Sequence, residues 1–224
     1  MSRYLFTNRQ GGASNTPYHE RNLALHVGDD REKVLLNRAG LASELGLPVT
    51  DLFFMNQSHG CEIIEIDHAS LASDIRECDA MFTRTPGKAL AVLTADCAPV
   101  LLFGERTSAV VHVGWRGLFG GILERVLQVM ANEKFSALIG PTICGKCYEI
   151  GDDLFAQATE RGFVVGDQSL DIPRSIISVL EKSSGEKITE ISWSGECTKE
   201  RDDYYSFRRE QTTGRQAGVI VHGS

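Results

Sequence analysis

No apolar run in this chain approaches the roughly 20 residues that a membrane-spanning helix requires, so a helical membrane protein is excluded. The amino terminus, Met1-Ser-Arg-Tyr-Leu-Phe-Thr-Asn8, has neither the apolar stretch nor the small-residue cleavage site of a signal peptide, and a cytoplasmic protein is expected. Positive charge is scarce: 23 Lys and Arg stand against 30 Asp and Glu, for a net charge of −7. A nucleic-acid binder would want a basic patch, so neither nucleic acid nor membrane is an expected partner. There is no low-complexity tract, no long Pro/Gly/Ser linker and no internal repeat, and residues 1–224 read as one domain. The six cysteines, at 61, 78, 97, 144, 147 and 197, are scattered through a chain too long for a disulfide scaffold. Free thiols, some buried and some ligating metal, are the better reading.

What remains is an ordinary globular composition, 42% hydrophobic and 24% charged, long enough to bury a core. Strands are predicted at 4–7, 51–55, 62–66, 89–94, 100–103, 108–113, 136–139, 188–193 and 217–221. Gly28-Asp29-Asp30 offers turn and cap residues for a helix with Leu35, Ala39, Ala42 and Leu45 on its core face, ended by Gly46 and Pro48. A glycine-rich passage, Gly114, Gly117, Gly120 and Gly121, leads into a helix with the stripe Ile122, Val126, Val129 and Met130. Two more helices are predicted, from Gly151-Asp152-Asp153 to about Arg161-Gly162 and over 173–182. Strands that follow one another without crossover helices argue for a mixed, largely antiparallel sheet with helices outside.

The chemistry centres on Asp96-Cys97 and His112. A hairpin with the turn Gly104-Glu105-Arg106-Thr107 would set Gly104 opposite Thr107, Pro99 opposite His112 and Cys97 opposite Gly114. Cys97 and His112 then share one face of the sheet, whereas a one-residue slip would separate them. Taken singly, a cysteine at a strand end is ordinarily a small buried hydrophobe and a lone histidine an ordinary core or surface residue. His59, in the short loop Gln57-Ser58-His59-Gly60, adds a third donor. Two imidazoles and one thiolate suit zinc and leave a position open for water; a structural zinc would want a fourth ligand, with Cys61 the nearest candidate. Cys144-Gly145-Lys146-Cys147 has no second Cys-x-x-Cys to complete a zinc ribbon; it reads first as structural thiols, then as pocket lining, and last as a redox or metal pair. Backbone amides around Trp115-Arg116-Gly117 could face an anion, and Arg208 and Arg209 could contact phosphate or carboxylate, or form a solvated surface pair.

Taken in order, Asn22-Leu-Ala-Leu-His-Val-Gly-Asp-Asp30, Gln57-Ser-His-Gly60, Leu93-Thr-Ala-Asp-Cys97, His112-Val-Gly-Trp-Arg-Gly117, Ile139-Gly-Pro141, Cys147-Tyr-Glu-Ile-Gly151 and Thr212-Thr-Gly-Arg-Gln-Ala-Gly218 resemble the YfiH-like family, also labelled laccase-domain or multicopper polyphenol oxidase proteins. The resemblance runs from about Asn22 to Val221. It implies a single-domain α/β/β/α sandwich and a zinc site whose ligands map onto His59, Cys97 and His112. The activities it implies are phosphorolysis of adenosine, inosine, guanosine and methylthioadenosine, and deamination of adenosine. Laccase-like oxidation and peptidoglycan editing have also been attached to members. Ser58 stands where the family often has valine, and Cys144-Gly-Lys-Cys147 where many members have adjacent cysteines.

On this reading the partners are a purine nucleoside and phosphate, and the protein is a monomer or weak homodimer. Asp96 is the candidate proton shuttle, Arg116 a catalytic phosphate holder, and Asn22, Arg208 and Arg209 bind substrate. A conventional multicopper oxidase needs about ten histidine ligands, several in His-x-His pairs; this chain has six histidines and no such pair. Oxidase activity would then require copper in the zinc site, since copper outcompetes zinc there in raw affinity. A metal-free hydrolase with Cys97 as nucleophile and His112 as base is a further alternative.

Overall fold

The computed structural model describes residues 2–223. Its strands are β1 (Arg3–Phe6), β2 (Leu52–Phe54), β3 (Ile63–Glu65), β4 (Ala80–Thr83), β5 (Ala89–Thr94), β6 (Ala98–Gly104), β7 (Ser108–Val113), β8 (Phe135–Ile139), β9 (Val165–Gly166), β10 (Ser169–Leu170), β11 (Ile188–Trp193) and β12 (Gln216–Val221). Its helices are α1 (Arg31–Glu44), α2 (Trp115–Gly120), α3 (Ile122–Val129), α4 (Asp152–Glu160), α5 (Ile172–Ser184) and α6 (Phe207–Glu210). A four-stranded sheet has the order β1-β12-β5-β2 and a six-stranded sheet the order β11-β8-β6-β7-β4-β3; β9 and β10 form a separate ribbon. In both large sheets parallel pairings sit at the edges, β2 on β5, β3 on β4 and β11 on β8, while the central pairings are antiparallel.

Alternation along the strands builds the layers. In β5, Ala89, Ala91 and Leu93 face α1 and pack with Leu41, Ala42 and Leu45. Leu90 and Val92 point the other way and meet Phe53, Leu101, Val110 and Ile220 between the sheets. In β6, Val100 and Leu102 face the opposite outer layer, where Ile122, Leu123 and Val126 of α3 and Ile176 and Leu180 of α5 cover the six-stranded sheet. Period-two side-chain direction therefore yields helix, sheet, sheet and helix in turn, an α/β/β/α sandwich. Among the described residues no helix is long and apolar enough to cross a membrane.

The strands 89–94, 108–113 and 188–193 fall where predicted, and most others shift by a residue or two. β4 was not anticipated. Its four residues are buried on both faces, so they carry no alternation to read. The face of α1 is corrected in part: Ala42 and Leu45 are buried as expected, but Leu35 is 45% exposed and Ala39 is exposed, while Val34, Asn37 and Leu41 are buried. Asn37 takes a core position because its amide donates to Asn22 O and Glu20 O and accepts from Ala13 N, which pins the loop before the helix.

Candidate metal centre and pocket

The hairpin sets the site. Gly104 N–H donates to Thr107 O at 2.8 Å, and Pro99 lies opposite His112, the register read from the turn. Cys97 lies one residue before β6 and His112 on β7, so both reach the same end of the six-stranded sheet. His59 enters from the β2–β3 connection. Gln57 clips that loop to β5, donating to Leu93 O and accepting from Leu93 N, both at 2.8 Å. The ligand atoms of His59, Cys97 and His112 all lie within 4.8 Å of one another. Cys97 Sγ is 4.0 Å from His59 Nε2, and the two imidazoles meet edge to face at 4.7 Å.

Asp79, which the sequence did not single out, organises this group. Its carboxylate is fully buried just before β4. Oδ1 accepts from His112 Nδ1 at 2.7 Å and His59 N at 3.0 Å. Oδ2 accepts from Gly60 N at 2.7 Å, Ser58 N at 3.1 Å and Ser58 Oγ at 3.2 Å. One carboxylate thus orients the His112 ring and holds the loop that presents His59. His59 has a φ of +61°, a left-handed conformation that a non-glycine residue keeps only when its surroundings fix it. Ser58, where the family often has valine, adds a bond to the same carboxylate.

Burial pushes the Asp79 carboxyl up, but the hydrogen bond and charge of His112 and the amides of Gly60 and Ser58 bring it down to about 2. Burial also opposes ionisation of Cys97 and His112; their mutual attraction overcomes it, and the thiol moves down while the imidazole moves up. Asp79 reinforces the rise of His112.

The donor set fits zinc. Bond lengths of about 2.3 Å to sulfur and 2.0–2.1 Å to nitrogen put tetrahedral donors about 3.4–3.6 Å apart. The 4.0 Å separation of Cys97 Sγ and His59 Nε2 closes with a small side-chain adjustment. With Nδ1 of His112 committed to Asp79, its other ring nitrogen is left to the metal, the usual carboxylate–histidine–metal arrangement. Cys61 is no fourth ligand: its thiol points at Gly117 O, 3.8 Å away, and packs against Gly120 of α2. Close approach also explains Gly114, where an added Cβ would lie 3.1 Å from Cys97 Sγ and 3.4 Å from His59 Cδ2.

These donors open into a cavity of about 400 Å³. Trp115, Tyr148 and Phe207 supply aromatic walls, and Arg116, Arg208 and Arg215 supply positive charge. Arg208 lies over the Tyr148 ring and donates to Glu149 O; Arg116 lies over Trp115. Arg215 and Tyr148 belong to segments quoted above, but neither was assigned a role from sequence. A larger depression of about 610 Å³, near Tyr4, Phe103 and His222, contains none of the centre's ligands.

The structure places Asp96 in the cavity lining and corrects the placement of Asn22 and Arg209, which lie outside it. At Asp96, Oδ1 accepts from Thr198 Oγ1 at 2.7 Å and Oδ2 from Arg208 N at 2.6 Å, bonds that anchor the pocket wall. Asn22 is fully buried, bonded to Ala24, Asp29 and Arg215 N, and lies outside the cavity lining. Arg209 spends its guanidinium on the carbonyls of Thr198, Lys199 and Tyr204 and on Glu210. Of the substrate-binding set, Arg208 reaches the cavity.

A family model described as multi-copper polyphenol oxidoreductase laccase matches residues 3–223. The chain belongs to this family. It is 36% identical to the purine nucleoside phosphorylase of Streptomyces coelicolor, covering 96% of this chain and 93% of that one. It is 38% identical to the purine nucleoside phosphorylase of Deinococcus radiodurans, covering 97% and 88%. The fold superimposes on the Bacillus licheniformis hypothetical protein YfiH with a TM-score of 0.90 and 26% identity, over 98% of this chain and 92% of that one. A Neisseria meningitidis protein gives a TM-score of 0.85 at 32% identity, over 100% and 95%.

Proposed function

We propose that the cavity binds a purine nucleoside beside phosphate and catalyses its phosphorolysis, with adenosine, inosine, guanosine and methylthioadenosine as substrates, and that the same centre with zinc deaminates adenosine. The observation that carries this reading is the juxtaposition of a two-imidazole, one-thiolate donor set with three arginines and aromatic walls in one 400 Å³ cavity. A flat base suits the rings and an oxyanion suits the guanidinium groups. Relatives named purine nucleoside phosphorylase support it from sequence.

In phosphorolysis Arg116, Arg208 and Arg215 hold the phosphate, which is polarised and oriented by charge-assisted hydrogen bonds. A phosphate oxygen bonds to C1′ as the bond from C1′ to N9 breaks, and the electron pair moves into the purine, which takes up a proton. Burial, reinforced by the Cys97 charge, pushes the Tyr148 phenol up to about 12, so it stays protonated and can donate a hydrogen bond to the departing base. Zinc held by His59, Cys97 and His112 would supply an open coordination position and lower the pKa of water there to about 7, the nucleophile that deamination requires. Asp79 keeps His112 and His59 aimed at that position.

A metal-free cysteine hydrolase has one observation in its favour: Cys97, His112 and Asp79 follow the order of nucleophile, base and orienting acid. His59 is then unused, although Asp79 holds its loop in place, and this favours the metal reading. Zinc-loaded protein assayed with adenosine, with and without phosphate, decides between them. Adenine formed only with phosphate reports phosphorolysis, and inosine formed without it reports deamination. Inosine formation unchanged in Cys97→Ala overturns both readings of the centre; inosine formation that survives complete chelation but is lost on thiol alkylation selects the hydrolase.

A further inference from the structure

Outside the cavity, the structure gathers a second donor cluster. Cys144 and Cys147 lie between β8 and α4, and Cys197 and Glu200 between β11 and α6. Because β8 and β11 are parallel neighbours, paired up to Ile139 and Trp193, their carboxyl ends emerge side by side. The pairing continues beyond the strands, with Thr142 N donating to Glu196 O at 3.1 Å and Thr198 N to Thr142 O at 3.2 Å. Cys197, isolated in sequence, is thereby delivered to the Cys-x-x-Cys turn.

That turn is itself shaped for ligation. Cys147 N donates to Cys144 O at 3.0 Å and Tyr148 N to the same oxygen at 3.1 Å, folding both thiols to one side. Gly145 is needed there, since an added Cβ would lie 2.7 Å from Asp171. Cys144 N points at Cys197 Sγ at 3.3 Å, the amide-to-sulfur contact that steadies a thiolate ligand. Glu200 Oε1 is 3.5 Å from Cys147 Sγ and 3.9 Å from Cys144 Sγ. All four donor atoms lie within 4.8 Å of one another.

We infer that Cys144, Cys147, Cys197 and Glu200 form a second, structural zinc site. Without a metal, the thiols of Cys144 and Cys147 face the Glu200 carboxylate as donors; a cation would displace those protons, and soft sulfur donors with one oxygen in a closed set of four suit zinc. A Cys144–Cys147 disulfide would leave Cys197 and the carboxylate without a purpose in the cluster. The site staples together the two segments that hold Asp96: Thr142 Oγ1 and Ile143 N bond Asp96 O, and Thr198 Oγ1 bonds its carboxylate. Its role is to brace the cavity wall that carries Tyr148 and the Asp96–Arg208 link.

The test is metal content of the full chain, purified under nitrogen with reductant, loaded with zinc and desalted. Wild type should hold two zinc ions per chain. His59→Ala/His112→Ala should keep one, and Cys144→Ser/Cys147→Ser should also keep one. If the latter fails to fold, cobalt substitution of His59→Ala/His112→Ala decides: intense sulfur-to-cobalt charge-transfer absorption is expected, because Cys97 alone cannot provide a multi-thiolate site. One zinc in wild type that disappears with the two histidines, no such cobalt absorption, or a disulfide seen as loss of two hydrogens by intact mass would each overturn the inference. Failure of the purine reading would leave these counts unchanged, and a first centre without metal would lower wild type to one ion, retained in His59→Ala/His112→Ala and lost in Cys144→Ser/Cys147→Ser.

Discussion

Asp79→Asn tests the organisation of the first centre. The substitution keeps the shape and replaces one oxygen by an NH₂ group. In one orientation that group faces the amides of Ser58 and Gly60; in the other it faces His59 N–H and His112 Nδ1–H. Either way at least two donors around the buried carboxylate lose their acceptor. Charge-assisted hydrogen bonds contribute about 1.5–3 kcal/mol each, so the loss is about 3–5 kcal/mol, the range for removing one partner of a buried charged pair. For a chain of this size each kcal/mol moves Tm by about 2–4 °C, giving a drop of roughly 6–20 °C. Zinc affinity should fall about 10–100-fold, because His112 loses the group that orients its ring. Thermal unfolding in excess chelator isolates the cost to the fold, and competition against a chelator of known affinity isolates the cost to the metal. Wild-type zinc affinity in Asp79→Asn would refute the reasoning even if the protein were less stable.

Three other outcomes follow from the same geometry. Gly120→Ala drives a Cβ into Cys61 Sγ and should cost about 1–3 kcal/mol by overpacking; Cys61→Ala should restore Tm in the double variant, and additive losses in thermal unfolding would disprove the contact. Arg208→Ala should raise KM for phosphate about tenfold or more with little change in Tm, about 1.5–3 kcal/mol of binding, whereas Arg209→Ala should lower Tm because its guanidinium ties four backbone carbonyls; steady-state kinetics and melting together reveal a reversed pattern if the assignment is wrong. Burial pushes the Glu210 carboxyl up, but bonds from Thr213, Arg9 and Arg209 outweigh it and hold it below the ordinary glutamate value. Its folded pKa is therefore below its unfolded one, and its stabilisation is present above the unfolded pKa and lost as pH falls through the folded pKa. The Tm gap between wild type and Glu210→Gln should be wide at neutral pH and close in acid; a gap independent of pH would contradict the sign.

How much of this was legible from sequence depends on how local each determinant is. The turn at Gly104–Thr107 sets the β6–β7 register, and that register places Cys97 beside His112 with no information from elsewhere in the chain. The layers were legible because β5 and β6 alternate cleanly between two cores. Asp79 was hidden because the strand that follows it is four residues long and buried on both faces, leaving no period to detect. The available signal was an acid immediately ahead of Ala80-Met-Phe, a short apolar run after a long polar stretch. Arg209 and Arg208 are adjacent and chemically identical; tertiary hydrogen bonds, not sequence, direct one into the wall and the other over Tyr148. Cys197 carries no local signal at all, and its meeting with Cys144 and Cys147 depends on the parallel pairing of β8 and β11.

The family's description as a multi-copper oxidoreductase can be weighed against where the histidines fall. His59 and His112 converge at the centre, and His26 lies on the cavity wall. His222 is bonded to Ser108 and His19 sits against Arg9, neither among the cavity lining. Among the described residues, two groups could hold a metal, and only one of them contains histidine. A copper set of the usual kind needs about ten imidazoles gathered together, and this fold gathers two with a single thiolate. Copper chemistry in the cavity would therefore use the same three donors that suit zinc, and copper would compete with zinc there by raw affinity. Metal availability would then set the activity observed. Asp79 serves either ion, because it fixes the imidazoles rather than touching the metal.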